Sequence, residues 1–141
     1  MPVETGEFIG DFDPTSPTNG EAKKYGDDHL RLIKEWIQDS FAGWDGVVFA
    51  YGTEAAGATA NDYVLTVTPT PSAHTNGVYV FIATHANTGA ATLQINALTV
   101  KDLKTIEGTA LASGNIQSGS IVVAFYNGTE FRILSSNGRA L

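Results

Sequence analysis

Two carboxylates and a histidine stand side by side at Asp27-Asp28-His29, inside the stretch GDDHLRLIK, directly before an amphipathic run. Such a triplet could hold a metal ion or share a proton, and either use would make the chain an enzyme candidate. The spacing argues otherwise. Consecutive residues at a helix start point in divergent directions, and no second histidine or carboxylate follows Asp27, Asp28 or His29 at the i+4 spacing that a helical metal site uses. Aspartate is a preferred N-cap residue, and a carboxylate in the first turn is favoured by the helix dipole by about 0.3–1 kcal/mol. The expectation is therefore that Asp27 caps a helix and Asp28 takes its first position, with no metal and no catalytic residue involved.

The remaining reactive residue types are scattered. Asp45, Glu54, Asp62, Asp102, Glu107 and Glu130 fall in turns, connectors or hairpin flanks, where carboxylates are usually solvated, and they form no pair of the kind that cleaves glycosidic bonds. No serine lies in a G-x-S-x-G turn, and His29, His74 and His85 lack metal-ligand spacing. His85, in THANTG, reads as a loop residue before a strand. The chain has no cysteine, which excludes disulfides and thiolate zinc sites and fits folding in a reducing cytoplasm. No enzyme activity and no cofactor are expected.

The elements that place these residues follow from periodicity. Residues 1–26 read as an extended arm broken by Pro2, Pro14 and Pro17, whose Phe8, Ile9 and Phe12 need a surface to dock on. Residues 27–42 read as an amphipathic helical segment, its helix from about residue 28 to 41 being roughly 20 Å long. Its Leu30, Ile33, Ile37 and Phe41 recur at spacings of three and four, with Leu32 and Trp36 as a second stripe beside them. Two stripes call for two things to pack against, and Leu30, Ile33, Trp36 and Ile37 are the expected core of an oligomer interface. Residues 43–61 read as a turn, a short strand VVFAY and a small-residue connector, and residues 137–141 as a tail.

Between them, residues 62–136 are β in character: DYVLTVT, GVYVFIAT, AATLQIN, LTV and IVVAFY are separated by Pro, Gly, Asn and Thr. The fold class is thus mainly β, an arm and one helix followed by a small antiparallel β-sandwich or barrel. In SIVVAFYNGTEFRIL, Asn127-Gly128 predicts a two-residue type I′ hairpin with Tyr126 opposite Thr129, Ala124 opposite Phe131 and Val122 opposite Ile133. The opposite face would carry Ile121, Val123, Phe125 and Leu134 beside Glu130 and Arg132, a half-apolar, half-charged surface that is a candidate subunit contact, with an edge covered by a loop of the same chain as the alternative.

At 141 residues the chain has room for one ordinary domain, and its formal charge of −7 argues against nucleic acid or an anionic membrane as partner. No apolar run is long enough for membrane insertion and no secretory leader is legible. Work outside a cell would then require release by lysis, as part of a particle.

Three pieces together resemble bacteriophage tail-fibre and tail-spike proteins: GDFDPTSPTNGEAKKYGDDHLRLIKEWIQDSF, NDYVLTVTPTPSAHTNGVYVFIATHANTGAATLQINAL and ASGNIQSGSIVVAFYNGTEFRIL. GDDHLRLIK is the most specific of these, and the likeness runs from about residue 10 to 134; Ala42-Gly43 stands where such proteins often place a proline. The resemblance implies a virion structural protein, made in the host bacterial cytoplasm, that forms a homotrimer, attaches to other virion proteins of the tail, portal-collar or capsid through its N-terminal arm, and presents a β-module. A head-bound decoration or head-fibre protein is one alternative. A host-surface glycan-binding module, stacking sugars on Tyr51, Tyr63, Tyr79 or Tyr126, is another.

Overall fold

The computed structural model describes residues 25–42 and 48–135, and the chain divides into two units between Gly43 and Trp44, one holding a helix and the other a barrel. Among the described residues the chain is mainly β with one helix, as its periodicities require.

Helix α1 spans Gly26–Ser40. Its N-cap is Tyr25, with no side-chain capping bond, so the expectation that Asp27 caps the helix is corrected: Asp27 and Asp28 both lie within the first turn. The reason is Arg31 one turn later. Its guanidinium takes Asp27 Oδ2 at 2.8 Å and Asp28 Oδ1 at 2.9 Å, which draws both carboxylates along the helix surface rather than back onto free N–H groups. What survives of the expectation is the acidic first turn at the positive end of the helix dipole. Asp27→Asn, which a cap would tolerate, should therefore cost about as much as Asp27→Ala, roughly 0.5 kcal/mol for a lost exposed ion pair. Thermal melts at low and high salt check this, because the penalty should shrink with screening.

The β unit contains β1 (Phe49–Tyr51), β2 (Thr53–Glu54), β3 (Asp62–Thr66), β4 (Gly77–Ile82), β5 (Ala91–Ile95), β6 (Lys101–Lys104), β7 (Ile121–Tyr126) and β8 (Phe131–Ser135). They form one sheet in the order β1-β4-β7-β8-β6-β5-β3-β2. β1 and β2 stand at opposite ends of that order yet are separated in the chain only by Gly52. One bent stretch, residues 49–54, therefore ties both ends together and rolls the sheet into a nearly closed barrel. Gly52 N–H continues the β1 side by donating to Val80 O at 2.8 Å. A Cβ at Gly52 would meet Leu65 Cβ and Cδ1 at 3.0 Å, so a side chain at this corner would require Leu65 to give way by a few tenths of an ångström.

Of the expected sandwich or barrel, the barrel is observed, but the sheet is mixed: β1–β4, β3–β5 and β6–β8 pair in parallel. Alternation along the strands fills the interior with Tyr63 and Leu65, Tyr79 and Phe81, Leu93 and Ile95, Val122 and Tyr126, and Phe131 and Ile133. Two strands were illegible to pattern reading. LTV lies in a turn and its exit, and the strand is the charged KDLK, where only Leu103 is buried; β2 sits inside the polar connector.

The hairpin loop is longer than its Asn-Gly signal implies. Tyr126 pairs with Phe131 and Ala124 with Ile133, leaving residues 127–130 as the loop. Gly128 has φ +97°, whereas Asn127 is not at positive φ; its Oδ1 instead accepts the N–H groups of Thr129 and Glu130 at 3.0 Å each, forming an Asx turn in place of a type I′ turn. The register thereby shifts by two residues. An even shift keeps every side chain on its face, so the inward set expected from the sequence is the one observed.

Candidate assembly site

The two stripes of α1 part company in the structure. His29 and Trp36 are buried, with Tyr25, Leu32 and Ser40 half-buried in line with them, whereas Leu30, Ile33, Ile37 and Phe41 are exposed. Grouping Trp36 with Leu30, Ile33 and Ile37 is thus corrected: Trp36 is 1% exposed on the inner stripe, while Leu30 remains 60% and Ile33 39% exposed. The outer stripe keeps the three-and-four spacing of a coiled-coil seam.

A second apolar surface lies on the outside of the barrel. The register sets Phe49 beside Val78 and Phe125, Tyr51 beside Val80 and Val123, and Ile82 beside Ile121, in three rows across β1, β4 and β7. Leu134 of β8 extends the patch. Phe49, Tyr51 and Ile121 are 65%, 60% and 59% exposed. The sequence placed Ile121, Val123, Phe125 and Leu134 outward, and so does the structure; β1 and β4 were missed as contributors because their neighbourhood to β7 is a matter of topology. The rest of the barrel exterior is different. The outer positions of β6, β5 and β3 carry Asp102, Lys104, Thr92, Gln94, Asp62 and Thr66, with Val64 as the apolar exception, and a shallow hollow of about 140 Å³ there is lined by Ala90, Thr92, Asp102 and Ala110 among others.

Charges at the border between the two halves satisfy one another. Glu130 accepts from Arg132 at 2.7–2.8 Å and pairs with Lys104, which also approaches Asp102 at 3.5 Å. The Lys104 ammonium, with Arg132 second, holds the Glu130 carboxyl below its ordinary range, and Glu130 raises Lys104 in turn. A depressed carboxyl stabilises the fold above its unfolded value and loses that contribution as pH falls through the folded one.

The closest approach to a chemical cluster is at the barrel seam, where the fold gathers Glu54, Thr84, His85 and Tyr63. The Glu54 side chain is 1% exposed; Oε2 accepts from Thr84 N–H, while Oε1 has no hydrogen-bond partner and lies 4.0 Å from His85 Nδ1. Thr84 Oγ1 and His85 Nδ1 are 2.8 Å apart, and Tyr63 Oη donates to His85 O at 3.1 Å. Since Glu54 belongs to β2 and Thr84 follows β4, this carboxylate bridges the two ends of the sheet order. Among the described residues, no three His, Cys, Asp or Glu side chains are grouped to hold a metal ion.

Burial, with the Glu54 charge second, pushes the Tyr63 phenol up to about 12. Because the folded state then holds its proton more tightly than the unfolded chain, Tyr63 should make stability fall between pH 10 and pH 12, a loss shared by Tyr79, which burial also raises. Denaturant titrations across that range should show a shallower drop in Tyr63→Phe than in wild type.

Tyr63, Tyr79 and Tyr126 are core residues, so of the four tyrosines considered for sugar stacking only Tyr51 faces outward. Phe8, Ile9 and Phe12, the expected particle-binding residues, lie outside the described residues. No protein-family model matches the chain, and no curated protein matches it. No helix among the described residues is long and apolar enough to cross a membrane.

Proposed function

We propose that this chain is a structural component of a bacteriophage particle, a tail-fibre-like or fibre-adaptor protein that works as a homotrimer rather than as an enzyme. The observation that carries the reading is the two-sided helix: with Trp36 and His29 already buried, Leu30, Ile33 and Ile37 form an exposed seam that other copies of α1 can cover. The likeness of GDDHLRLIK and its flanking pieces to fibre proteins supports the virion as the setting. In this reading the arm of residues 1–26 attaches to another virion protein through Phe8, Ile9 and Phe12, and the barrel is carried outward. Mass spectrometry of purified particles tests it: the protein should be present in a copy number divisible by three, and its absence would end the reading. Antibody labelling at the tail supports the fibre role, whereas labelling over the capsid would make it a head decoration.

A further inference from the structure

We propose that the apolar outer face of β1, β4 and β7 is a contact surface between barrels, and that its occupant is the same face of another copy of this chain. The inference deepens the assembly reading and shares with it the requirement for more than one copy, but it concerns a surface separate from the helix seam.

Three features support a second copy as the occupant. The first is size. Five large apolar side chains on this patch, Phe49, Tyr51, Ile82, Ile121 and Leu134, are exposed, and together they present on the order of 500 Å², at the upper end of what a monomer normally leaves to water. Two such faces in contact remove about 1,000 Å², the threshold for a specific interface. The second is charge. Copies carrying a formal −7 repel one another, yet the described positions of this face bear no carboxylate, and the nearest charges, Glu130, Arg132 and Lys104, are paired among themselves. Like-charged copies can therefore meet here without burying a bare ion. The third is chemistry. A sugar site needs donors and acceptors beside its stacking ring, and the middle of this patch is Val80, Val123, Ile82 and Ile121, which offer none. The face pairs instead with something equally apolar, and β4 and β7, which carry most of it, are paired on both sides while the end strand β1 is only three residues long, so the contact is side-chain packing rather than strand addition.

The absence of cysteine makes a clean test with the full-length protein. Ile121→Cys should form disulfide-linked dimers rapidly under mild oxidation, whereas Asp102→Cys, an equally accessible probe on the polar half, should not. Ile121→Glu, a change at a position already exposed, should leave circular dichroism and melting unchanged while raising the dissociation constant at least about tenfold in sedimentation equilibrium. Equal cross-linking at both positions, wild-type association by Ile121→Glu, or specific glycan binding that Tyr51→Ala abolishes while association is unaffected would each overturn the proposal. The two readings fail separately. A protein found in particles whose Ile121→Glu variant associates normally removes this inference alone, and one absent from particles whose Ile121→Cys variant cross-links removes only the virion role.

Discussion

Asn87→Ala should lower the stability of the barrel by about 3–5 kcal/mol, the largest effect expected of any single polar substitution among the described residues. Asn87 is 1% exposed, and its side chain serves three backbone groups: Nδ2 donates to Gly89 O and Ala112 O at 2.8 Å each, and Oδ1 accepts from Ile116 N–H at 2.7 Å. The main chain around it adds Asn87 N–H to Ile116 O at 3.1 Å and Gly114 N–H to Asn87 O at 2.8 Å. Asn87 thus fastens the loop after β4 to the long connection before β7. Removing the amide strands the buried Ile116 N–H at roughly 1–3 kcal/mol and costs the part-buried carbonyls of Gly89 and Ala112 about 1 kcal/mol each, against a total stability of about 5–15 kcal/mol. Urea titrations followed by tyrosine fluorescence measure the loss. Asn87→Asp separates hydrogen bonding from packing, since it keeps the acceptor for Ile116 but sets a carboxylate against two carbonyl oxygens. It should be at least as unstable as the alanine variant at neutral pH and should recover part of the difference on acidification, when the acid can donate. Equal stability of all three proteins would show that water replaces the amide without penalty.

Asn87 was hidden in the sequence for a physical reason. In THANTG an asparagine reads as a turn former, because local pattern reports only what a residue does to its immediate neighbours, while the partners that matter here are 25 and 29 residues away. Asn96 behaves likewise: at φ +50° it returns its side chain to Val67, 29 residues back, accepting from its N–H at 2.9 Å and donating to its carbonyl at 3.1 Å. Strands whose inner and outer faces differ in polarity were legible from alternation, as at β3 and β5, whereas β7, apolar on both faces, was legible only as a continuous run of β-forming residues. KDLK was not, because a strand with one buried residue has too little pattern to declare itself. The hairpin was legible in facing and not in register: the turn chemistry of Asn127 added two residues to the loop, and an even slip leaves no trace in the hydrophobic pattern.

For the candidate site the limit was different. The helix announced both of its stripes, but Leu30 and Trp36 are equally apolar, and hydropathy does not say which stripe the chain covers itself. Only the burial of Trp36 and exposure of Leu30 divide them. On the barrel, β7 showed its outward apolar residues in the sequence, while the extension of that face through β4 to β1 depends on parallel pairing of β1 with β4, which nothing local encodes.

That division of the helix changes what Ile33→Asp should do. Were Ile33 a core residue, an aspartate there would unfold the chain, as a buried unpaired charge costs several kcal/mol. Ile33 is instead 39% exposed, on the stripe beside that of Trp36, so the new carboxylate can stay solvated in the isolated subunit and the melting temperature should move by only a degree or two. In a trimer three such carboxylates would meet at the seam, each next to Leu30 and Ile37 of its own helix and to like charges on the other two. The expected result is loss of the trimer in light scattering at concentrations where the wild type is fully assembled, a change of at least about a hundredfold in the association constant, with circular dichroism unaltered. Trp36→Asp provides the contrast, because it should unfold the helical unit whether or not copies associate. Ile33→Asp that remains trimeric would remove the helix seam from the assembly, and a wild type of monomeric mass at every concentration would remove the trimer itself.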